Sequence, residues 1–311
     1  MTAENTVQKP LRKKKSFSRR QNKIVLAVMT LFAAAAALIF LMPTVLTIAN
    51  SFMSTSEISA NYGSVFSTTE SGGKTFISEK VNLKFIPDMV SFSQYFTVLF
   101  KSPDYLFKFW NSVILVIPIV IFQLAIAAFA SYGFARLKGR LKEILFFVYV
   151  IVMMMPYQVT LVPNYLVADK LGILNTRWAI ILPAVFTPYS VFLLTKVMKR
   201  IPEAIIEAAK LDGAGEMQIF RYIALPLCKS VIFSVIILVF IDYWNMVEQP
   251  LILLSDENLY PLSVFLSRIN SGEIGLAFAV ATIYMIPTLL MFLYGEDYLV
   301  EGIAYSGGIK G

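Results

Sequence analysis

The chain has no histidine and a single cysteine, Cys228. Without histidine it lacks the commonest metal ligand and the usual general base at neutral pH. A lone cysteine leaves no intrachain disulfide, no cysteine-based metal site and no Cys–His pair, so Cys228 is expected as a buried apolar filler. Composition thus argues against a metal-dependent or triad-type enzyme, and no catalytic residue, metal or cofactor is expected. Charge is scarce too: 15% of the 311 residues are charged, against roughly 25% in a soluble domain.

Apolar sequence takes that place, with 57% hydrophobic residues. A bilayer core about 30 Å thick needs roughly 20 apolar residues in a helix. Six stretches qualify, at about 24–48, 109–135, 144–168, 178–198, 229–254 and 276–299. An all-α, polytopic membrane protein is therefore expected. The third stretch contains Pro156 and Pro163 and should be kinked. The fifth carries Asp242, Asn245, Glu248 and Gln249 in its second half.

The net charge of +7 is unevenly spread, with eight of the 27 basic residues in the first 23 positions, mainly in RKKKSFSRRQNK. Because an apolar run follows directly, this tail suits anionic lipid at the cytoplasmic face rather than nucleic acid. The run Ile24–Ile48 is too long for a signal-peptide core, and no convincing cleavage site follows it, so it is expected as a retained first helix. Nineteen of the 27 Lys and Arg residues fall in the N-terminal tail, the second-to-third connection, the fourth-to-fifth connection with Lys196 and Lys229 at its edges, and the C-terminal tail. Both termini are thus expected to be cytoplasmic. The expected organisation is a basic tail over 1–23, a first helix over 24–48 and an external segment over 49–108. A five-helix core over 109–299 follows, with a connection at 199–228, and then a tail over 300–311.

Residues 59–84 form a polar excursion with a β-prone stretch, KTFISEKVNLKFI. It suits either a solvated loop or part of an outer docking surface. Gly73-Lys74-Thr75 mimics the end of a phosphate-binding loop, but Thr68 stands where that loop requires glycine, so no ATP site is expected. In the second stretch, Ala127, Ser131 and Ala135 recur every four residues with Gly133 nearby, a small-residue seam for close helix packing. Arg136, Lys138 and Arg140 beyond it suit a topology anchor.

Residues 207–226, EAAKLDGAGEMQIFRYIALP, are polar and amphipathic between two apolar runs. Pro202 suits a first helical turn and Gly213 the turn just past its end. Ile205, Ile206 and Ala209 share one face, with Glu203, Glu207 and Lys210 elsewhere. A second pattern, Ile219, Phe220 and Ile223, is expected to stop at Pro226. Two such helices joined by glycine make a compact knob at the aqueous surface.

The polar residues of the fifth stretch demand a reason, since charge at membrane depth normally faces a water-filled cavity or a partner. Asp242, Asn245 and Glu248 or Gln249 recur at three- and four-residue steps, which on one continuous helix places them along one stripe. Tyr243 and Trp244 adjoin them, and aromatic faces beside hydrogen-bonding groups suit a sugar. An interhelical hydrogen bond is the competing explanation. Gln158, Thr160 and Asn164 on the third stretch are weaker candidates of the same kind.

Glu207-Ala208-Ala209, with Gly213 and Leu225-Pro226, resembles the EAA loop of ABC-importer permeases. From about Asn111 onward, roughly two thirds of the chain, the sequence is similar to the carbohydrate-uptake branch, the group containing the second permease of the maltose importer. Asn111-Ser112, YGFARLKGR, MMMPYQVTLVPNYL, LGILNT, Tyr243-Trp244-Asn245, Gln249-Pro250-Leu251 and SGGIKG carry the likeness. It implies a type I importer fold with six transmembrane helices per subunit in a bacterial or archaeal cytoplasmic membrane. The implied partners are a second homologous permease, two ATP-binding subunits, an external solute-binding protein and a sugar or oligosaccharide. The loop residues Glu207, Ala208, Ala209, Asp212 and Gly213 would form the coupling helix that docks on the ATPase. Tyr243, Trp244, Asn245 and Glu248 would line the substrate pathway. The external segment is longer than in many members, and the tail EDYLVEGIAYSGGIKG is less basic than the usual version.

Two other functions compete. A permease of the same fold for an anionic solute, such as glycerol-phosphate or sialic acid, would want several basic residues facing the cavity. None falls in the interiors of the third to fifth spans, Lys196 and Lys229 lying at span ends. A membrane enzyme or a secondary transporter would leave the coupling motif unexplained, and the internal repeat common in such transporters is not evident.

Overall fold

A computed structural model describes residues 19–66, 83–268 and 274–307. The N-terminal part of the basic tail, Gly73-Lys74-Thr75, most of the 59–84 excursion and residues 308–311 lie outside the described residues. Every regular element among the described residues is helical, and the described end of the β-prone stretch, 83–86, forms no strand. In chain order the main helices are α1 (Arg19–Asn50), α2 (Thr55–Phe66), α3 (Pro103–Arg136), α4 (Arg140–Met153), α5 (Tyr157–Lys170) and α6 (Trp178–Val185). They continue with α7 (Pro188–Met198), α8 (Glu203–Leu211), α9 (Lys229–Trp244), α10 (Glu248–Leu253), α11 (Leu262–Ser267) and α12 (Ile274–Gly307). The chain divides into two compact units, the boundary falling inside α1 between Thr47 and Ile48.

Among the described residues, four helices are long and apolar enough to cross a membrane: Lys23–Asn50, Pro103–Arg136, Trp178–Met198 and Gly275–Gly302. Two bent pairs bring the number to six if each counts as one span: α4 with α5, bent by 105°, and Glu216–Leu227 with α9, bent by 75°. Six spans were expected, but the third is broken rather than merely kinked. Pro156 lies at the break, and the residue before a proline is driven away from helical ψ. The α4 helix therefore ends at Met153, and α5 restarts after Pro156, whose ψ is 139°. Pro163 sits inside α5 without ending it.

The fifth span also departs from expectation. A single helix over 229–254 would need an N–H at position 250 to bond the carbonyl of Met246, and Pro250 has none. The helix stops at Trp244, and the short α10 begins at Glu248. The freed Met246 carbonyl accepts instead from Ser263 Oγ at 2.5 Å. Asp242, Asn245 and Glu248 therefore do not share one helical stripe.

The core of the larger unit is built where α3, α6, α7 and α9 meet, around Leu115, Ile119, Ile180, Leu194, Val235 and Trp244. Lipid is as apolar as leucine, so close fit and hydrogen bonds hold such helices together rather than escape from water. The small-residue seam does this work: Ala127 and Ser131 are buried, Ser131 Oγ donates to the Val191 carbonyl at 2.9 Å, and Gln123 Nε2 donates to Ser190 Oγ at 2.7 Å. Cys228 is buried as expected, at the bend before α9.

The sixth span packs on the fifth through glycines. A Cβ on Gly302 would lie 2.0 Å from Ser234 Oγ, and one on Gly295 would lie 2.1 Å from Ile237 Cδ1. Ser234 Oγ also bonds the Tyr298 carbonyl at 2.5 Å, so α9 and α12 touch backbone to side chain. The α12 helix runs on to Gly307, so much of the segment expected as a tail is helical.

Candidate functional site: a polar cavity and an exposed knob

The two broken spans face one another across a cavity of about 960 Å³. Each break turns helix ends and side chains inward, so Tyr157, Gln158, Thr160 and Asn164 from α5 line the cavity. Asp242, Tyr243, Asn245, Glu248 and Gln249 come from the α9–α10 junction. Thr187 and Tyr189 come from the break between α6 and α7. No lysine or arginine lines it among the described residues.

Breaking the helix does not scatter the fifth-span residues, because the turn returns Glu248 to the wall that Asp242 and Asn245 occupy. Glu248 is exposed to the cavity, and the hydrogen bond it accepts from Gln158 Nε2 is long, at 3.5 Å to Oε2. Asp242 is also exposed and has no ion pair among the described residues. Asn245 is partly committed: Nδ2 donates to the Ile241 carbonyl at 2.7 Å, and Oδ1 accepts from Tyr284 Oη at 3.0 Å. Tyr243 is buried with its hydroxyl 2.9 Å from Thr187 Oγ1.

Trp244 does not belong with them. It is 1% exposed and is absent from the cavity wall. Its ring lies between Phe240, at 5.2 Å, and Tyr284, at 5.6 Å, with the Phe109 edge at 5.6 Å. Its Nε1 donates to the Tyr284 carbonyl at 3.1 Å, and Tyr284 Oη donates back to the Trp244 carbonyl at 2.6 Å. A ring enclosed on both faces and hydrogen-bonded cannot also stack on a solute, so the expected stacking role fails on burial. Sequence spacing could not show this, because Tyr284 lies 40 residues further on.

Tyr157, Thr187 and Tyr189 were missed among the wall residues. Their signal was proline, since Pro156-Tyr157 marks the break in the third span and Thr187-Pro188-Tyr189 the junction of α6 and α7 in the fourth.

At the other end of the α9 arm, α8 and the helical run Glu216–Leu227 form the knob. Pro202 is the N-cap rather than the first helical residue. The α8 helix closes in a Schellman turn: Gly213 N donates to the Lys210 carbonyl at 3.0 Å, and Ala214 N donates to the Ala209 carbonyl at 2.9 Å. That turn needs a left-handed residue, and Gly213 has φ +85°. Ile206 is buried beneath α8, whereas Glu207, Ala208, Asp212 and Gly213 are exposed, Ala209 is half-buried and Leu211 is 89% exposed. The exposed face thus mixes charged residues and alanine with Leu211, the most exposed large apolar side chain of α8, and a partly exposed Ile205.

The second half does not stop at Pro226. A π-turn over Phe220–Ala224 precedes it, and the helix continues to Leu227. Phe220 is buried against Phe129, at 4.8 Å between centroids, and Tyr132, at 5.2 Å, both on α3.

Residues 123–299 match the family described as the binding-protein-dependent transport system inner membrane component. The chain is similar to the lactose transport permease LacG of Rhizobium radiobacter, at 30% identity over 67% of this chain and 77% of that protein. It is also similar to the arabinooligosaccharide transport permease AraQ of Bacillus subtilis, at 28% identity over 74% of this chain and 83% of that one. Its fold is similar to that of a chain in a bacterial ABC transporter that imports the acidic polysaccharide alginate. There the TM-score is 0.74 at 20% identity, covering 92% of this chain and 99% of that one. A broken-helix cavity, an exposed glycine-capped knob and a family match over more than half the sequence place this chain among the binding-protein-dependent transport system inner membrane components, as a multi-pass ABC-transporter permease.

Proposed function

We propose that this chain is one permease subunit of an ATP-driven importer of an uncharged sugar or oligosaccharide in a bacterial or archaeal cytoplasmic membrane. It forms half of the translocation pathway. A second homologous permease supplies the other half, two ATP-binding subunits drive the cycle, and an external solute-binding protein delivers the sugar. The observation that carries this reading is continuity. The knob segment Glu216–Leu227 passes through one bend at Cys228 directly into α9, whose last turn lines the cavity. Force applied to Glu207, Ala208, Ala209, Asp212 or Gly213 on the exposed surface therefore reaches the cavity wall along one arm.

The wall chemistry supports a neutral solute. Amides, hydroxyls and carboxylates can replace the water that a sugar loses, whereas an anion such as glycerol-phosphate or sialic acid would meet two carboxylates and, among the described wall residues, no cation. The relatives LacG and AraQ, named for lactose and arabinooligosaccharides, support the same class. In cells carrying the whole importer, replacing Asn245 and Glu248 with alanine should raise the uptake KM about tenfold while the ATPase stays attached. Each unpaired hydroxyl costs about 1–3 kcal/mol at such depth. Loss of assembly with no selective change in transport would instead make these residues interhelical ties.

Topology gives an independent check. Ile86 and Leu211 are both well exposed, and Ile86→Cys and Leu211→Cys should react with a membrane-impermeant maleimide from opposite faces, the first from outside. Reaction of both from one face would contradict the span count.

A further inference from the structure

Resting on the coupling role given to the knob, we propose that Glu216 is a positioning residue: it clamps the knob to α3, so that the two move as one body. The two oxygens of its carboxylate go to different elements. Oε1 lies 2.6 Å from Lys210 Nζ on α8, and Oε2 accepts from Tyr132 Oη on α3 at 2.7 Å. One side chain thus joins both halves of the knob to the span behind them.

The neighbouring contacts show why such a clamp is needed. Phe220 gives the knob an apolar seat against Phe129 and Tyr132, but apolar contact is non-directional and permits sliding. A further polar link between the knob and the turn after α3, Lys138 to Glu203, is 3.8 Å long with Lys138 90% exposed, and such a pair holds little. The Tyr132 hydroxyl meets a charged acceptor at short range, which fixes direction as well as distance. Tyr132 also packs its ring on Phe220, so one residue supplies both the seat and the lock.

The α3 helix belongs to the core that carries the seam Ala127–Ser131 against α7. With the clamp closed, displacement of the knob reaches the pathway through two arms, α9 along the chain and α3 through Glu216. With it open, α9 alone is driven, and the knob can rock about the Phe220 seat without moving the rest of the core.

The clamp lies at the surface, with the Glu216 side chain 58% and that of Lys210 51% exposed, so Glu216→Gln is not expected to disturb folding or assembly. Tyr132→Phe keeps the ring on Phe220 and removes only the lock. The test uses the assembled importer with Cys228→Ser and spin labels at Leu211→Cys on α8 and Ile121→Cys on α3, both exposed in this chain. Distances are compared without nucleotide and after trapping with ATP and vanadate. With Glu216 and Tyr132 present, the distance should be the same in both states. In Glu216→Gln and in Tyr132→Phe it should shift by several ångströms between states, with ATP hydrolysis within about twofold of the parent, since an exposed pair contributes little to assembly. The double variant should be no worse than either single one. A distance that already shifts in the parent, or stays fixed in both variants, overturns the clamp. A shift in Glu216→Gln with none in Tyr132→Phe also overturns it, because Glu216 would then act through Lys210 alone. Failure of the underlying coupling role looks different: Gly213→Val would then leave ATPase attachment and uptake untouched.

Discussion

Gly213→Val should leave the permease folded in the membrane while reducing uptake by about tenfold or more, with ATP hydrolysis either uncoupled from transport or lost with the ATPase. The reason is conformational. No atom lies within 4 Å of a Cβ built on Gly213, so there is room for a side chain. The backbone, however, sits at φ +85°, where a β-branched residue costs about 1–3 kcal/mol. The chain relieves that strain by giving up the Schellman turn, which frees the Lys210 and Ala209 carbonyls and re-aims the exposed face of α8. A lost 1.4 kcal/mol is about tenfold in an equilibrium, and under the proposed coupling role docking depends on that face. Gly213→Asn is the control, since asparagine tolerates the left-handed region, and it should retain most uptake. Equal losses in both variants would point to side-chain size and contradict the turn as the cause.

Gly302→Val should act by the opposite cause and on a different property. Here the obstacle is space: the added Cβ would meet Ser234 Oγ at 2.0 Å and Ser234 Cβ at 2.8 Å. Rotating the serine away sacrifices its bond to the Tyr298 carbonyl, and moving the helix separates α9 from α12. Overpacking of this kind costs about 1–3 kcal/mol, and valine adds further methyl groups to the clash. Thermal unfolding of the detergent-purified permease should show a lowered Tm, with Gly302→Ala in between. Ser234→Gly should restore part of the loss, since it removes the clashing atoms. An unchanged Tm in Gly302→Val would mean that the two spans are not in contact at this point.

These two glycines also show what the sequence could and could not reveal. Gly213 was legible because its requirement is local: a polar amphipathic helix ends there, and the chain must turn. The apolar runs and the Ala127–Ser131 seam were legible for the same reason, since length and spacing are local properties. The Asn245–Val247 break was not, although Pro250 was in plain view. A proline removes one donor, but whether the helix kinks or ends depends on what else can bond the abandoned carbonyl, and here it is Ser263, 17 residues away. Trp244 was misjudged for a related reason. Its neighbours in sequence are polar, but its neighbours in space are Phe109, Phe240 and Tyr284. Tyr132 and Glu216, 84 residues apart, left no sign that they meet. The cavity was half legible: Asp242, Asn245 and Glu248 do converge on it, by a turn rather than along a stripe.

The central claim is that the cavity between the two broken spans is a solute pathway whose access is switched by ATP. The most direct measurement places Gln158→Cys on the cavity wall in the assembled importer, with Cys228→Ser, and follows its reaction with a membrane-impermeant maleimide added to one face at a time. The account predicts reaction from the cytoplasmic face without nucleotide and from the outer face after trapping with ATP and vanadate. Reaction from the same face in both states, or from neither in any state, would contradict it.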